Sequence, residues 1–137
     1  MERHADREDA RREAERLAAI ECQRIRQEAE RLAEIQHAEN VRAETLRTQH
    51  AAWREARELR EFLAAMTATV DAMEPGAQRD AAGEWLEWCR LYVDTSIDPL
   101  DKPLAMPTIR PPTWEERMTL ENALVRKLEL ANQPRSP

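Results

Sequence analysis

EPGAQ, residues 74–78, contains the first proline and the first glycine of this 137-residue chain. Proline cannot continue a helix and glycine allows a sharp turn, so a helix is expected to stop here. All eight prolines and both glycines lie from Pro75 onward, and no aromatic residue precedes Trp53. The sequence therefore reads as a long, uninterrupted helical half followed by a shorter, punctuated half that forms a core. Scarce glycine and the low share of β-branched residues argue against a sheet, and the fold class expected is all-α.

Upstream of the turn, the pattern predicts one helix, or two nearly collinear ones, from about Asp6 to Met73. Acidic residues stand three before arginines at Asp9–Arg12, Glu13–Arg16, Glu21–Arg24, Glu28–Arg31, Glu39–Arg42 and Glu44–Arg47. Such pairs meet on a helix surface and contribute ~0.2–0.5 kcal/mol each. EAERLAAI (13–20) recurs fifteen residues later as EAERLAEI (28–35). Fifteen residues over four turns exceed the repeat of a left-handed coiled coil. The candidate interface seam is Leu17, Ile20, Ile25, Ala29, Leu32, Ile35, Ala38, Val41 and Leu46, thin and rich in alanine. It fits pairing with a second copy or another helical protein, and equally a solitary charge-stabilised spacer.

From Trp53 the apolar stripe widens through Ala56, Leu59, Phe62, Leu63, Met66, Val70 and Met73 at three- and four-residue spacing. Beyond EPGAQ a second helix is expected from about Arg79 to Thr95. Its apolar positions are Ala82, Trp85, Leu86, Trp88, Cys89, Tyr92 and Val93. A short connection between amphipathic helices predicts an antiparallel hairpin. Asp98-Pro99 suits the turn that ends it, because aspartate bonds nearby backbone and proline blocks continuation. Residues 96–112 hold five prolines and read as extended chain docked in part through Ile97, Leu100, Leu104, Met106 and Ile109. Thr113 and Glu116 have capping-box spacing, which starts a last helix with Trp114 at its first position. The expected organisation is a charged helix (1–52), an aromatic-rich hairpin (53–100), a proline-rich linker (101–112), a C-terminal helix (113–131) and a frayed tail (132–137).

Composition limits the chemistry. The formal net charge is −6, which disfavours direct binding of nucleic acid, whose affinity rests on basic side chains. Of the 21 basic residues only Lys102 and Lys127 are lysines. Arginine makes better-organised pairs, and codon use in a GC-rich genome gives the same skew. No apolar run approaches the ~20 residues of a membrane span. MERHADREDARRE is too charged for a signal peptide, so a cytoplasmic location is expected by elimination. His4, His37 and His50 share no metal-ligand spacing with Cys22 or Cys89 and read as solvated helix histidines. Cys89 has no histidine near it in sequence to act as a base and reads as a small buried thiol. Glu84 with Glu87, and Glu58 with Glu61, read as solvated faces. No catalytic residue, metal, cofactor or small-molecule ligand is expected. Trp53, Phe62, Trp85, Trp88, Tyr92 and Trp114 remain. They fit packing in a small core, which large aromatics fill efficiently, or a partly exposed ridge that docks a partner.

The pattern from Trp53 to Leu63 (W-x-x-A-x-x-L-R-x-F-L), then W-L-x-W at 85–88 and I-D-P-L at 97–100, resembles the C-terminal part of a group of uncharacterised bacterial proteins. In that group a helix-turn-helix segment precedes a long arginine- and glutamate-rich helix and a hairpin ending in a D-P-L turn. The resemblance covers roughly residues 10–101. It implies an accessory or detached part of a DNA-associated regulator, acting through protein contacts. No helix-turn-helix pattern occurs in this sequence, so no DNA-contacting residue carries over. The residues themselves point to a non-enzymatic helical interaction or oligomerisation module.

Overall fold

The absence of proline and glycine before residue 75 produces a single helix, α1 (Glu2–Asp71), followed by α2 (Ala77–Tyr92), a π-helical turn (Val93–Ile97) and α3 (Trp114–Asn132). This computed structural model describes residues 2–133, with the side chain of Glu2 excepted, and among them there is no strand. The frayed tail expected at 132–137 falls, from residue 134 on, outside the described residues. Glu13–Arg16, Glu21–Arg24 and Glu28–Arg31 each close as two-pronged contacts, with the shorter prong at 2.6 Å. Each of these glutamates is held below the usual carboxylate range, chiefly by its arginine.

Two compact units divide the chain. One joins α1 up to Asn40 with the segment from Ile109 onward, and the other runs from Val41 to Thr108. The boundaries expected at 52/53 and 112/113 therefore differ from those observed. The reason lies in α3, which does not stand apart but returns along the first part of α1.

In the first unit the two helices run antiparallel. The Asn132 side-chain amide donates to Glu21 at 3.0 Å. Further along, Arg26 reaches Glu121 at 3.7 Å, and His37 meets the Arg110 carbonyl just before α3. The residues of α1 that become buried are Ile25, Ala29, Ala33 and His37, one every four positions. Opposite them Glu121 is buried, and Met118, Leu120, Leu124, Val125 and Leu128 are half-buried. Rows at i±4 form one of the two natural ridges of a helix, and alanine at two of the four positions lets α3 approach closely. The start of α3 is fixed by the expected capping box. The Glu116 amide donates to Thr113 Oγ1, and the Thr113 amide donates to Glu116 Oε1.

The second unit is a helical hairpin. At its turn Gly76 takes a positive φ of 157°, open to glycine and strained for other residues. The core consists of Ala56, Leu63, Leu86 and Val93, with Leu59, Met66, Cys89 and Ile97 packed against it. Ala56, Leu63 and Val70 are seven apart and all buried, so α1 presents a heptad seam here. Leu86 and Cys89 of α2 and Val93 of the π turn answer it. Burying a side chain of leucine or valine size contributes about 1.5–3 kcal/mol, so this short list accounts for much of the hairpin's cohesion.

Downstream, the Asp98 amide donates to the Val93 carbonyl at 2.8 Å, which closes the π turn. The Leu100 amide then donates to Asp98 Oδ1 at 2.9 Å, the aspartate turn expected from the D-P-L sequence. The partly docked segment is corrected in one respect. Ile97 packs on the core, whereas Leu100, Leu104, Met106 and Ile109 are exposed. Backbone carbonyls hold this stretch instead. Gln49 donates to the Ala105 carbonyl at 2.7 Å, and His37 donates from Nε2 to the Arg110 carbonyl at 2.8 Å.

Candidate interaction surface

The largest difference from the sequence reading concerns the aromatics. Packing in the core was one expectation for them, and Trp85 and Trp88 are more than half exposed instead, at 56% and 54%. Tyr92, Phe62 and Trp114 are exposed as well, and Trp53 is half-buried. The cause is helical phase. Trp85, Trp88 and Tyr92 recur at three and four residues, as do Leu86, Cys89 and Val93, but the two sets are one residue out of step. One residue is ~100° of rotation, so only one set faces α1, and it is the aliphatic one.

The three exposed rings form a ladder. The Trp85 and Trp88 ring centroids lie 5.4 Å apart with planes 5° from parallel. Trp88 and Tyr92 lie 5.1 Å apart at 8°. Offset aromatic pairs at this spacing contribute about 0.5–1.5 kcal/mol beyond area burial, so the rings hold one another in place without help from the core. Elsewhere on α1, His50 stacks on Trp53 with centroids 6.1 Å apart, and the Arg57 guanidinium lies 5.1 Å from the Trp53 ring centre.

Behind the hairpin seam runs a groove of about 320 Å³ lined by Arg60, Leu63, Ala64, Thr67, Arg90, Val93 and Asp94. Its two guanidiniums are engaged. Arg60 contacts Asp94 Oδ1 and Asp98 Oδ2, both at 2.7 Å. Arg90 donates to Thr67 Oγ1 and to Glu87. Asp98 is held below the ordinary aspartate range, first by the Leu100 amide and then by Arg60. Arg60 is correspondingly raised, mainly by Asp94. Sequence reading missed Arg60, because nothing local separates it from the other arginines of α1.

The expected seam on α1 divides. Ile25 and Ala29 are buried, Leu32, Ala38 and Val41 are half-buried, and Leu17, Ile20, Ile35 and Leu46 are exposed. His37 corrects the solvated reading, being 4% exposed, hydrogen-bonded through Nε2 and 4.0 Å from Glu116 through Nδ1. His4 faces Glu8 at 3.3 Å. Cys22 is exposed, and Cys89 is half-buried against the hairpin core. Among the described residues no His, Cys, Asp and Glu cluster is arranged to hold a metal ion, and no helix is long and apolar enough to cross a membrane. No protein-family model, curated protein or solved structure matches this chain.

Proposed function

We propose that this chain is a non-enzymatic helical interaction module that binds a protein partner through the Trp85–Trp88–Tyr92 ladder. The observation supporting the reading is that three large rings are stacked and held in the open while Leu86 and Val93 form the core. Tryptophan and tyrosine dominate the energetics of protein interfaces. Rings that are already stacked lose less rotamer freedom on docking, and this lowers the cost of binding.

Affinity capture from cells tests this, with the full chain compared with the Trp85→Ala/Trp88→Ala double variant. Circular dichroism should show equal helicity. The expected result is a partner retained by the wild type and lost by the variant. A DNA-binding protein in that position would select the accessory regulatory role implied by the sequence resemblance. Partners that bind both forms equally would defeat the reading.

A further inference from the structure

Glu121 is buried between α1 and α3, its side chain only 4% exposed. Its ion-pair partner, the Arg26 guanidinium, stands 3.7 Å away, longer than a hydrogen bond. That guanidinium donates to Asn122 Oδ1 instead, at 3.4 Å. No hydrogen bond joins the Glu121 carboxylate to another described residue. Burying an ionised carboxylate without hydrogen bonds is costly, and folded proteins seldom leave one so. Glu121 lines a groove of about 360 Å³ together with Glu30, Glu34, Trp114, Arg117 and Met118. Glu30 and Glu34 stand one turn apart on α1, and Trp114, Met118 and Glu121 follow at four and three residues along α3. All belong to the first unit, which does not contain the aromatic ladder.

We propose that this groove binds an organic cation, a guanidinium or ammonium group on an apolar stem, with Glu121 as the carboxylate that receives it. The lining holds three carboxylates to one guanidinium, and the acidic excess persists with Arg26 counted. Among the described residues no His, Cys, Asp and Glu group is arranged to close on a metal ion, so the excess suits a larger cation. Its N–H donors supply the hydrogen bonds that Glu121 lacks, while Glu30 and Glu34 hold the charge from the α1 side. The Trp114 ring, 74% exposed, and Met118 give the groove an apolar wall. Aromatic rings attract cations, and the aliphatic stem of a basic side chain packs along apolar surface. An arginine or lysine side chain of a partner protein and a free polyamine share this chemistry. The site is independent of the ladder.

Titrations of the full chain followed by NMR test this, at about 0.15 M salt to screen diffuse attraction to an acidic protein. The probes are acetyl-arginine methylamide, its neutral isostere acetyl-citrulline methylamide, spermidine and magnesium ion. The arginine probe or spermidine should shift the Trp114 indole N–H and the amides around Glu121 saturably, and the citrulline probe should not. Tighter binding of the arginine probe marks a protein side chain as the source, and tighter binding of spermidine marks a free polyamine. Glu121→Gln should weaken binding at least about tenfold, one decade in Kd, with helicity unchanged. Glu30→Gln/Glu34→Gln, at exposed positions, should weaken it while leaving the α1–α3 pair intact, so the test stands even where Glu121→Gln loosens α3. Absence of a saturable shift with both cations overturns the proposal. So does equal binding of the citrulline probe, displacement by equimolar magnesium, or binding indifferent to both variants.

Discussion

Leu86 is 5% exposed and Trp85, the residue before it, is 56% exposed. The edge of the hairpin core passes between the two. Truncating Leu86 to alanine removes a side chain packed against Leu63 and Val93, and the expected loss is about 2–5 kcal/mol. Truncating Trp85, the larger residue, should cost no more than about 1.5 kcal/mol, the value of its stacking on Trp88. Paired urea unfolding curves of the two variants check the order. A Trp85→Ala loss as large as that of Leu86→Ala would mean that the ring is core.

Arg60 joins α1 to the π turn through Asp94 and to the residue just beyond that turn through Asp98. Asp98 also accepts from the Leu100 amide. Each of the two side chains makes two of these interactions, but Asp98 is buried and holds a backbone amide, whereas Arg60 is exposed, so Asp98→Ala loses more. The expected order of melting temperature is wild type, then Arg60→Ala, then Asp98→Ala as the lowest. Because Asp98 is depressed below its ordinary value, its contribution is present above the unfolded aspartate pKa and is lost as pH falls through the folded one. In acid the gap between Asp98→Ala and wild type should close.

Glu116 accepts from the Thr113 amide and pairs with Arg110 at 2.7 Å. Its carboxyl is lowered from 4.5 to about 2, first by the Arg110 guanidinium and then by Thr113. A depressed carboxylate stabilises the fold above its unfolded pKa, and that stabilisation fades between pH 4.5 and about 2. Glu116→Gln keeps the shape of the cap and loses the charge. The variant should be less stable than wild type at neutral pH and converge with it near pH 2. A constant difference across that range would show that Glu116 acts through packing alone.

His37 sits beneath the chain at Arg110, donating to its carbonyl from a buried position. His37→Ala leaves a cavity and frees that carbonyl, at an expected cost of about 1–3 kcal/mol. The loosening should be local. Hydrogen exchange should quicken in α3 and leave α2 unchanged, since the hairpin belongs to the other compact unit. Equal quickening in both helices would mean that the two units unfold together.

These contacts differ in how visible they were in the sequence, for physical reasons. Thr113 with Glu116 and Asp98 with Leu100 are local, and the spacing of a cap or an aspartate turn is enough to place them. The stripe from Ala56 to Val70 was visible because leucine, methionine and valine mark it. Of the α3 docking row, Ile25 and Ala29 stood in the expected seam, whereas Ala33 carries little hydrophobic signal and His37 reads as polar, so those two were missed. Arg60 needed two partners more than thirty residues away. The tryptophans misled by size, since two faces of α2 one residue out of phase both qualified as a core and the bulkier one is exposed.

Ala29 is fully buried and Ala19 is exposed, both on α1. If α3 rests on the row through Ala29, added volume there must push the helices apart. Ala29→Leu should destabilise the first unit by about 1–3 kcal/mol, the usual cost of overpacking. Ala19→Leu, with the same change in helix propensity, should fall within about 0.5 kcal/mol of wild type, as for a surface substitution. Denaturant unfolding followed by the fluorescence of Trp114 at the start of α3 reports on the right unit, once Trp53, Trp85 and Trp88 are replaced by phenylalanine. An Ala29→Leu variant as stable as Ala19→Leu would show that α3 does not rest on this face of α1.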